Sequence, residues 1–79
     1  MLDEEVYLMD ARLPISEANE VLYTQLPAAE THTIGGLVVA RLRRIPLKGD
    51  SITEAGYRFT VEEATERSIV KLRVERSSL

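Results

Sequence analysis

Apolar and polar positions change period along this chain, and the changes mark its elements. Val6-Tyr7-Leu8-Met9 is a short apolar run bounded by acids, and Arg12-Leu13-Pro14-Ile15 follows after only Asp10-Ala11, which predicts two short strands around a tight turn. Pro14 has no amide to donate, so the second strand should lie at an edge or end there. Ser16 then stands where an N-cap is needed, with Glu17 near the positive end of the helix it would open. Ala18, Val21 and Leu22 share one face of that helix. It should stop before Pro27, leaving Leu26 to His32 as a connecting loop.

Thr33 is the predicted cap of a second helix, in which Ile34, Leu37, Val38 and Leu42 recur at the spacing of a buried stripe while Arg41 and Arg44 point outward. Gly35 and Gly36 each cost about 1 kcal/mol relative to alanine inside a helix, so the pair predicts close approach of another backbone at the first turn. Pro46 should end the helix. Lys48-Gly49-Asp50 is turn chemistry, Ser51-Ile52-Thr53 a short strand, and Glu54-Ala55-Gly56 a tight connection.

From Tyr57 the period becomes two. Tyr57, Phe59 and Val61 alternate with Arg58, Thr60 and Glu62, and Val70, Leu72 and Val74 alternate with Lys71, Arg73 and Glu75. These are half-buried strands joined through Thr65-Glu66-Arg67, with one polar face as in antiparallel sheets. The fold class is therefore α+β: a mostly antiparallel sheet with two helices packed on one face, in the order β-β-α-α-β-β-β. The stripe Ile34, Leu37, Val38 and Leu42 should pack on Tyr57, Phe59, Val61, Val70, Leu72 and Val74.

At 79 residues the chain is one domain or a fragment, spanning 1–79 with a core from about 6 to 76. A chain this short buries only about 60% of its unfolded surface, which leaves little stability for a strained active site. Cysteine is absent, which excludes disulfides and thiolate zinc sites and fits a reducing compartment. The apolar runs are far shorter than the roughly 20 residues that span a bilayer, and the start is acidic where a signal peptide would be basic. The composition predicts a soluble chain with no direct bilayer insertion.

The net charge of −3 hides a polarity: residues 1–30 carry seven acids and one base (−6), and residues 31–79 carry six acids and nine bases (+3). Such polarity helps two parts of a fold, or two subunits, attract each other, so a weak homodimer is expected. Arg41, Arg43, Arg44 and Lys48 form a basic cluster, but an acidic total with few aromatics argues against a nucleic-acid surface.

Candidate chemistry is sparse. Gly35-Gly36 at a helix start, with Arg41 nearby, could hold a phosphate of a cofactor, since free amides and the helix dipole favour anions there. No G-x-G-x-x-G spacing or P-loop lysine accompanies the pair, and close helix packing is the simpler reading. His32 with Glu30 or Asp50 could ligate a cation, but a cation needs several convergent ligands. Asp3-Glu4-Glu5 and Glu62-Glu63 read as solvated charge rather than acid/base machinery, which would need a pocket to separate their pKa values. No nucleophile-base pairing stands out, so no metal, catalytic residue or resident cofactor is expected.

Several motifs in order resemble a known family. Asp10-Ala11-Arg12-Leu13-Pro14, Leu26-Pro27, Thr33-Ile34-Gly35-Gly36-Leu37-Val38, Arg44-Ile45-Pro46-Leu47-Lys48-Gly49-Asp50 and Gly56-Tyr57-Arg58-Phe59-Thr60-Val61, with the basic last strand, are similar to the transporter-associated domain of the CorC/HlyC type. Each motif alone is weak; their co-occurrence at family spacing over about residues 6 to 76 is specific. The resemblance implies the C-terminal fragment of a longer chain, a hemolysin-like or magnesium/cobalt efflux protein. There the domain follows a CBS-domain pair, often with an N-terminal membrane domain, and lies in the cytoplasm at the inner face of the cell membrane. It also implies a fold similar to a subdomain of FAD-binding proteins. Ala11 stands where the family usually has Gly, and Thr65-Glu66 where it has an Asp-Gly-type turn.

Two functions follow. The first is a non-catalytic regulatory or interaction module that modulates ion transport by docking to CBS domains, the membrane domain or another subunit. The second is a small-ligand sensor that binds FAD, by fold analogy, or an adenine nucleotide through Gly35, Gly36 and Arg41.

Overall fold

The computed structural model describes residues 6–28 and 31–77. Six elements follow one another: β1 (Val6–Asp10), α1 (Ile15–Leu22), α2 (Ile34–Leu42), β2 (Ser51–Glu54), β3 (Tyr57–Ala64) and β4 (Ile69–Arg76). The strands form one antiparallel sheet in the order β1-β4-β3-β2. The order is therefore β-α-α-β-β-β, one strand fewer than the periodicity predicts.

The missing strand is Arg12 to Ile15. The amide of Leu13 bonds the carbonyl of Asp10 at 3.0 Å and closes a turn, after which Pro14 has no amide with which to extend a ladder. What survives is a single bridge between Pro14 and Thr33, in which Ile15 N–H donates to the His32 carbonyl at 2.9 Å and Ile34 N–H to that of Leu13 at 3.0 Å. This bridge also displaces Ser16 from its expected capping role. Because the Ile15 amide is already satisfied and Pro14 (φ −62) is pre-set to enter a helix, α1 begins two residues early, at Ile15, with Pro14 as its cap and no capping side chain.

Thr33 caps α2 as expected: its hydroxyl accepts from the Gly36 amide at 3.1 Å. The helix ends at Leu42, not at Pro46. Arg43 turns into the left-handed region (φ 61) and donates its amide to the Val39 carbonyl at 2.9 Å, closing the last turn ahead of the proline. The connection between β2 and β3 has only Ala55 and Gly56 at its centre, both at positive φ (54 and 84), the geometry of the hairpin turn whose twist matches that of the strands.

One sheet face is apolar and covered. Met9, Phe59, Val61, Leu72 and Val74 pack there with Ile15, Ala18 and Leu22 of α1 and Ile34, Leu37 and Val38 of α2. Leu42 and Tyr57 are partly buried against this core. The register places Arg58, Thr60, Arg73 and Glu75 on the other face.

Val70 departs from its expected place in the core. Val61 pairs with Leu72, but Glu63 pairs with Lys71 and Ala64 with Ile69, so Glu62 and Val70 are each one residue in excess in their strands. A bulge resets the alternation beyond it. Ile69 takes the core position at 6% exposure, and Val70 is left 36% exposed.

Candidate functional site

The first turn of α2 is fastened to the turn after β1. Gly35 N–H donates to the Ala11 carbonyl at 2.9 Å, beside the bond from Ile34 to Leu13, while Gly36 N–H goes to the Thr33 hydroxyl and Leu37 N–H to the Thr33 carbonyl at 3.1 Å. The amides that could greet an anion at this helix start are therefore engaged within the protein. A Cβ on Gly35 would lie 2.7 Å from the Ala11 Cβ and 2.8 Å from its carbonyl oxygen. Close backbone approach is thus what Gly35 permits. Gly36 is less constrained, its nearest neighbours being side-chain atoms of Thr31 and Thr33 at 3.3 Å.

Arg41 does not join the glycines. It lies five residues beyond Gly36, about 7.5 Å along the helix axis, and forks onto Glu54 of β2 through Nε to Oε1 at 3.2 Å and Nη2 to Oε2 at 3.4 Å. What the glycines do border is an open cleft of about 540 Å³. Its lining combines the apolar or small Ala11, Gly35, Gly36, Val39, Ile69 and Val70 with the polar or charged Asp10, Arg12, Thr33, Arg67 and Ser68. Arg12 is tied to Asp10 by its amide at 2.8 Å and by its guanidinium at 3.4 Å. These bonds, the backbone one foremost, hold the exposed Asp10 carboxyl below the usual aspartate range. The Arg67 guanidinium has no polar partner among the described residues. The sequence places Arg67 in the connection between the last two strands and Val70 in the core, but neither at a site: the bulge that turns Val70 to the cleft leaves no periodic signal.

His32 is exposed and contributes its carbonyl to the bridge with Ile15; Asp50 is occupied by the loop described next, and Glu30 lies outside the described residues. No group of three or more potential metal ligands occurs among the described residues. No described helix is long and apolar enough to cross a membrane.

A second feature is the loop from α2 to β2. Asp50 organises it: its carboxylate accepts from Arg44 Nη2 at 2.7 Å and from the Leu47 amide at 2.9 Å, and its own amide bonds the Leu47 carbonyl at 2.9 Å. Gly49 N–H to the Val61 carbonyl at 2.9 Å and Val61 N–H to that of Asp50 at 2.8 Å fasten the loop to β3. Pro46 is buried, yet Ile45 and Leu47 on either side of it are 66% and 65% exposed. Exposed Arg43 and Lys48 flank them. This hydrogen-bonded loop presents two aliphatic side chains in a cationic frame.

The architecture is a four-stranded antiparallel sheet with two helices on one face, the second of them fastened through Gly35 to the turn at Ala11. The chain belongs to the CorC_HlyC family, the transporter associated domain, which matches residues 1–78. It is 33% identical over 75 residues to hemolysin C of Brachyspira hyodysenteriae, covering 94% of this chain and 28% of that protein. It is 32% identical over 73 residues to the magnesium and cobalt efflux protein CorC of Buchnera aphidicola subsp. Baizongia pistaciae, covering 92% and 26%. Among solved structures, the transporter associated domain of a Xylella fastidiosa Temecula1 hemolysin, in complex with Mg2+ and Mn2+, superposes with a TM-score of 0.84 at 32% identity over 92% of this chain and 89% of that one. The chain thus spans about a quarter of the length of the curated relatives it matches.

Proposed function

We propose that this domain is a non-catalytic regulatory module of a hemolysin-like or magnesium/cobalt efflux-type membrane protein. It acts at the cytoplasmic face by docking to the CBS domains or another subunit and biasing the conformational equilibrium of the ion-conducting part. The observation that carries this reading is the loop from Arg43 to Asp50. Its backbone is pinned by Asp50 and β3, so Ile45 and Leu47 are held out to solvent with little conformational entropy left to lose on binding. Apolar anchors inside a charged rim are the anatomy of a protein contact, and the cations select an acidic partner surface.

The test is ion flux through the full-length parent carrying Ile45→Ser and Leu47→Ser together. Both side chains are exposed, so the fold should persist and the regulated component of transport should be lost at unchanged protein level. Flux and its regulation identical to the parent's would refute the docking role.

A second reading, a small-ligand sensor for FAD or an adenine nucleotide, has the cleft beside Gly35 and Gly36 in its favour. Its arginine would be Arg67, because Arg12 is paired with Asp10 and Arg41 is held by Glu54 and does not line the cleft.

A further inference from the structure

We propose that the cleft between the turn after β1, the start of α2 and the β3–β4 hairpin binds a small amphipathic monoanion. An aromatic or short aliphatic body would lie against Val39 and Val70, and a single carboxylate or phosphodiester, each with one negative charge, would meet Arg67. The site involves no residue of the docking loop and stands apart from that reading.

The shape comes from two local devices. Gly35 lets α2 approach the Ala11 backbone, and the bulge at Val70 takes that side chain out of the core alternation and leaves it beside the cleft. Val39 and Val70 are each 36% exposed, so apolar area remains there for a ligand to cover. Bulges that re-aim a side chain are common beside binding sites. At about 540 Å³ the cleft falls within the range of small-molecule sites, which run from roughly 300 to 1,000 Å³.

The charge of the ligand follows from the charged residues of the lining. Arg12 is neutralised by Asp10 at its side, which leaves Arg67 as the cleft's uncompensated charge among the described residues. One negative charge is balanced there. A pyrophosphate would bring further charge toward Asp10, whose carboxylate is kept ionised by the Arg12 amide and guanidinium. Recognition does not depend on the helix start, whose amides are engaged.

The experiment is amide chemical-shift titration of the 15N-labelled domain with benzoate and methyl phenyl phosphate, a singly charged diester, against benzyl alcohol and inorganic phosphate. Saturable shifts centred on Gly36, Val39, Ser68 and Val70 are expected for at least one of the two aromatic anions, with a dissociation constant on the order of 1 mM. The tighter of the two identifies the head group. Benzyl alcohol and inorganic phosphate should bind at least tenfold more weakly, and Arg67→Gln should weaken the anion tenfold while leaving the urea midpoint unchanged. The proposal is overturned if neither aromatic anion saturates, if the shifts map elsewhere, if benzyl alcohol matches the anions, or if Arg67→Gln binds as tightly as the parent.

Discussion

Replacing Gly35 by alanine should destabilise the domain, against the ordinary rule for helices. In an unencumbered helix interior the change would stabilise by about 1 kcal/mol. Here the added Cβ would stand 2.7 Å from the Ala11 Cβ and 2.8 Å from the Ala11 carbonyl oxygen, and the second of these is backbone that no rotamer change can move. Relief requires α2 to withdraw from the turn after β1, at an overpacking cost of about 1–3 kcal/mol. Withdrawal also stretches the bonds from Ile34 to Leu13 and from Gly35 to Ala11, each contributing about 1 kcal/mol. The net expectation is a loss of about 1–4 kcal/mol. With a urea slope of about 1 kcal/mol per molar, the midpoint should fall by about 1 M or more. Gly36→Ala is the control, because its new contacts are with side-chain atoms at 3.3 Å and the helix-propensity gain opposes them, leaving it within about 1 kcal/mol of the parent. Ala11→Gly added to Gly35→Ala should rescue only partly, since the carbonyl contact remains. A Gly35→Ala midpoint equal to or above the parent's would refute the reasoning.

Asn19→Ala should cost about 1–3 kcal/mol in chemical denaturation, because the Asn19 side chain accepts from Leu26 N–H and Thr24 O–H and donates to the Leu26 carbonyl. Asn19→Asp keeps the acceptors and should cost less; equal costs would count against this account. Ala55→Asn should raise the thermal midpoint, since Ala55 sits at φ 54 in a two-residue turn that Asn-Gly fills with less strain; the gain is up to about 1 kcal/mol. Asp10, with its carboxyl held low by the Arg12 amide and side chain, should titrate by NMR below the usual value of about 3.9. A depressed folded-state pKa gives stability that is present above the unfolded value and lost as pH falls through the folded one, so Asp10→Asn should flatten the acid limb of the stability profile below about pH 4. An Asp10 that titrates at or above the ordinary value would contradict the assignment.

The second helix and the last two strands were legible because each carries a clear period and a local signal: Thr33 as cap, the Ile34 stripe, and the alternation from Tyr57. Errors gathered where a tertiary contact replaced a local one. Ser16 is a good cap by type, yet the amide it would serve lies downstream of a bridge that starts α1 at Ile15. Arg12 to Ile15 reads as a strand, but a bonded turn and a proline leave it one bridge long. Val70 follows perfect alternation in sequence and leaves the core because it is itself the extra residue of a bulge in β4, between Lys71 opposite Glu63 and Ile69 opposite Ala64, which periodicity does not reveal. For the candidate site, the close approach at the glycine pair was readable from helix cost alone. Its basic partner was not: Arg41 is near in sequence but committed to Glu54, while Arg12 and Arg67 reach the cleft only through the fold. The ion pairs Arg12–Asp10, Arg41–Glu54, Arg44–Asp50 and Arg73–Glu62 each join residues within one charge half of the chain.

The central claim is that Ile45 and Leu47, framed by cations, are a protein-docking surface, and calorimetry between this domain and the CBS-domain pair that the proposed function gives it as partner tests it most directly. The account predicts a saturable isotherm that weakens with salt, as rim cations require, and that loses at least tenfold in affinity, about 1.4 kcal/mol, in the Ile45→Ser, Leu47→Ser variant. An affinity unchanged in that variant, with its fold intact by denaturation, would contradict it.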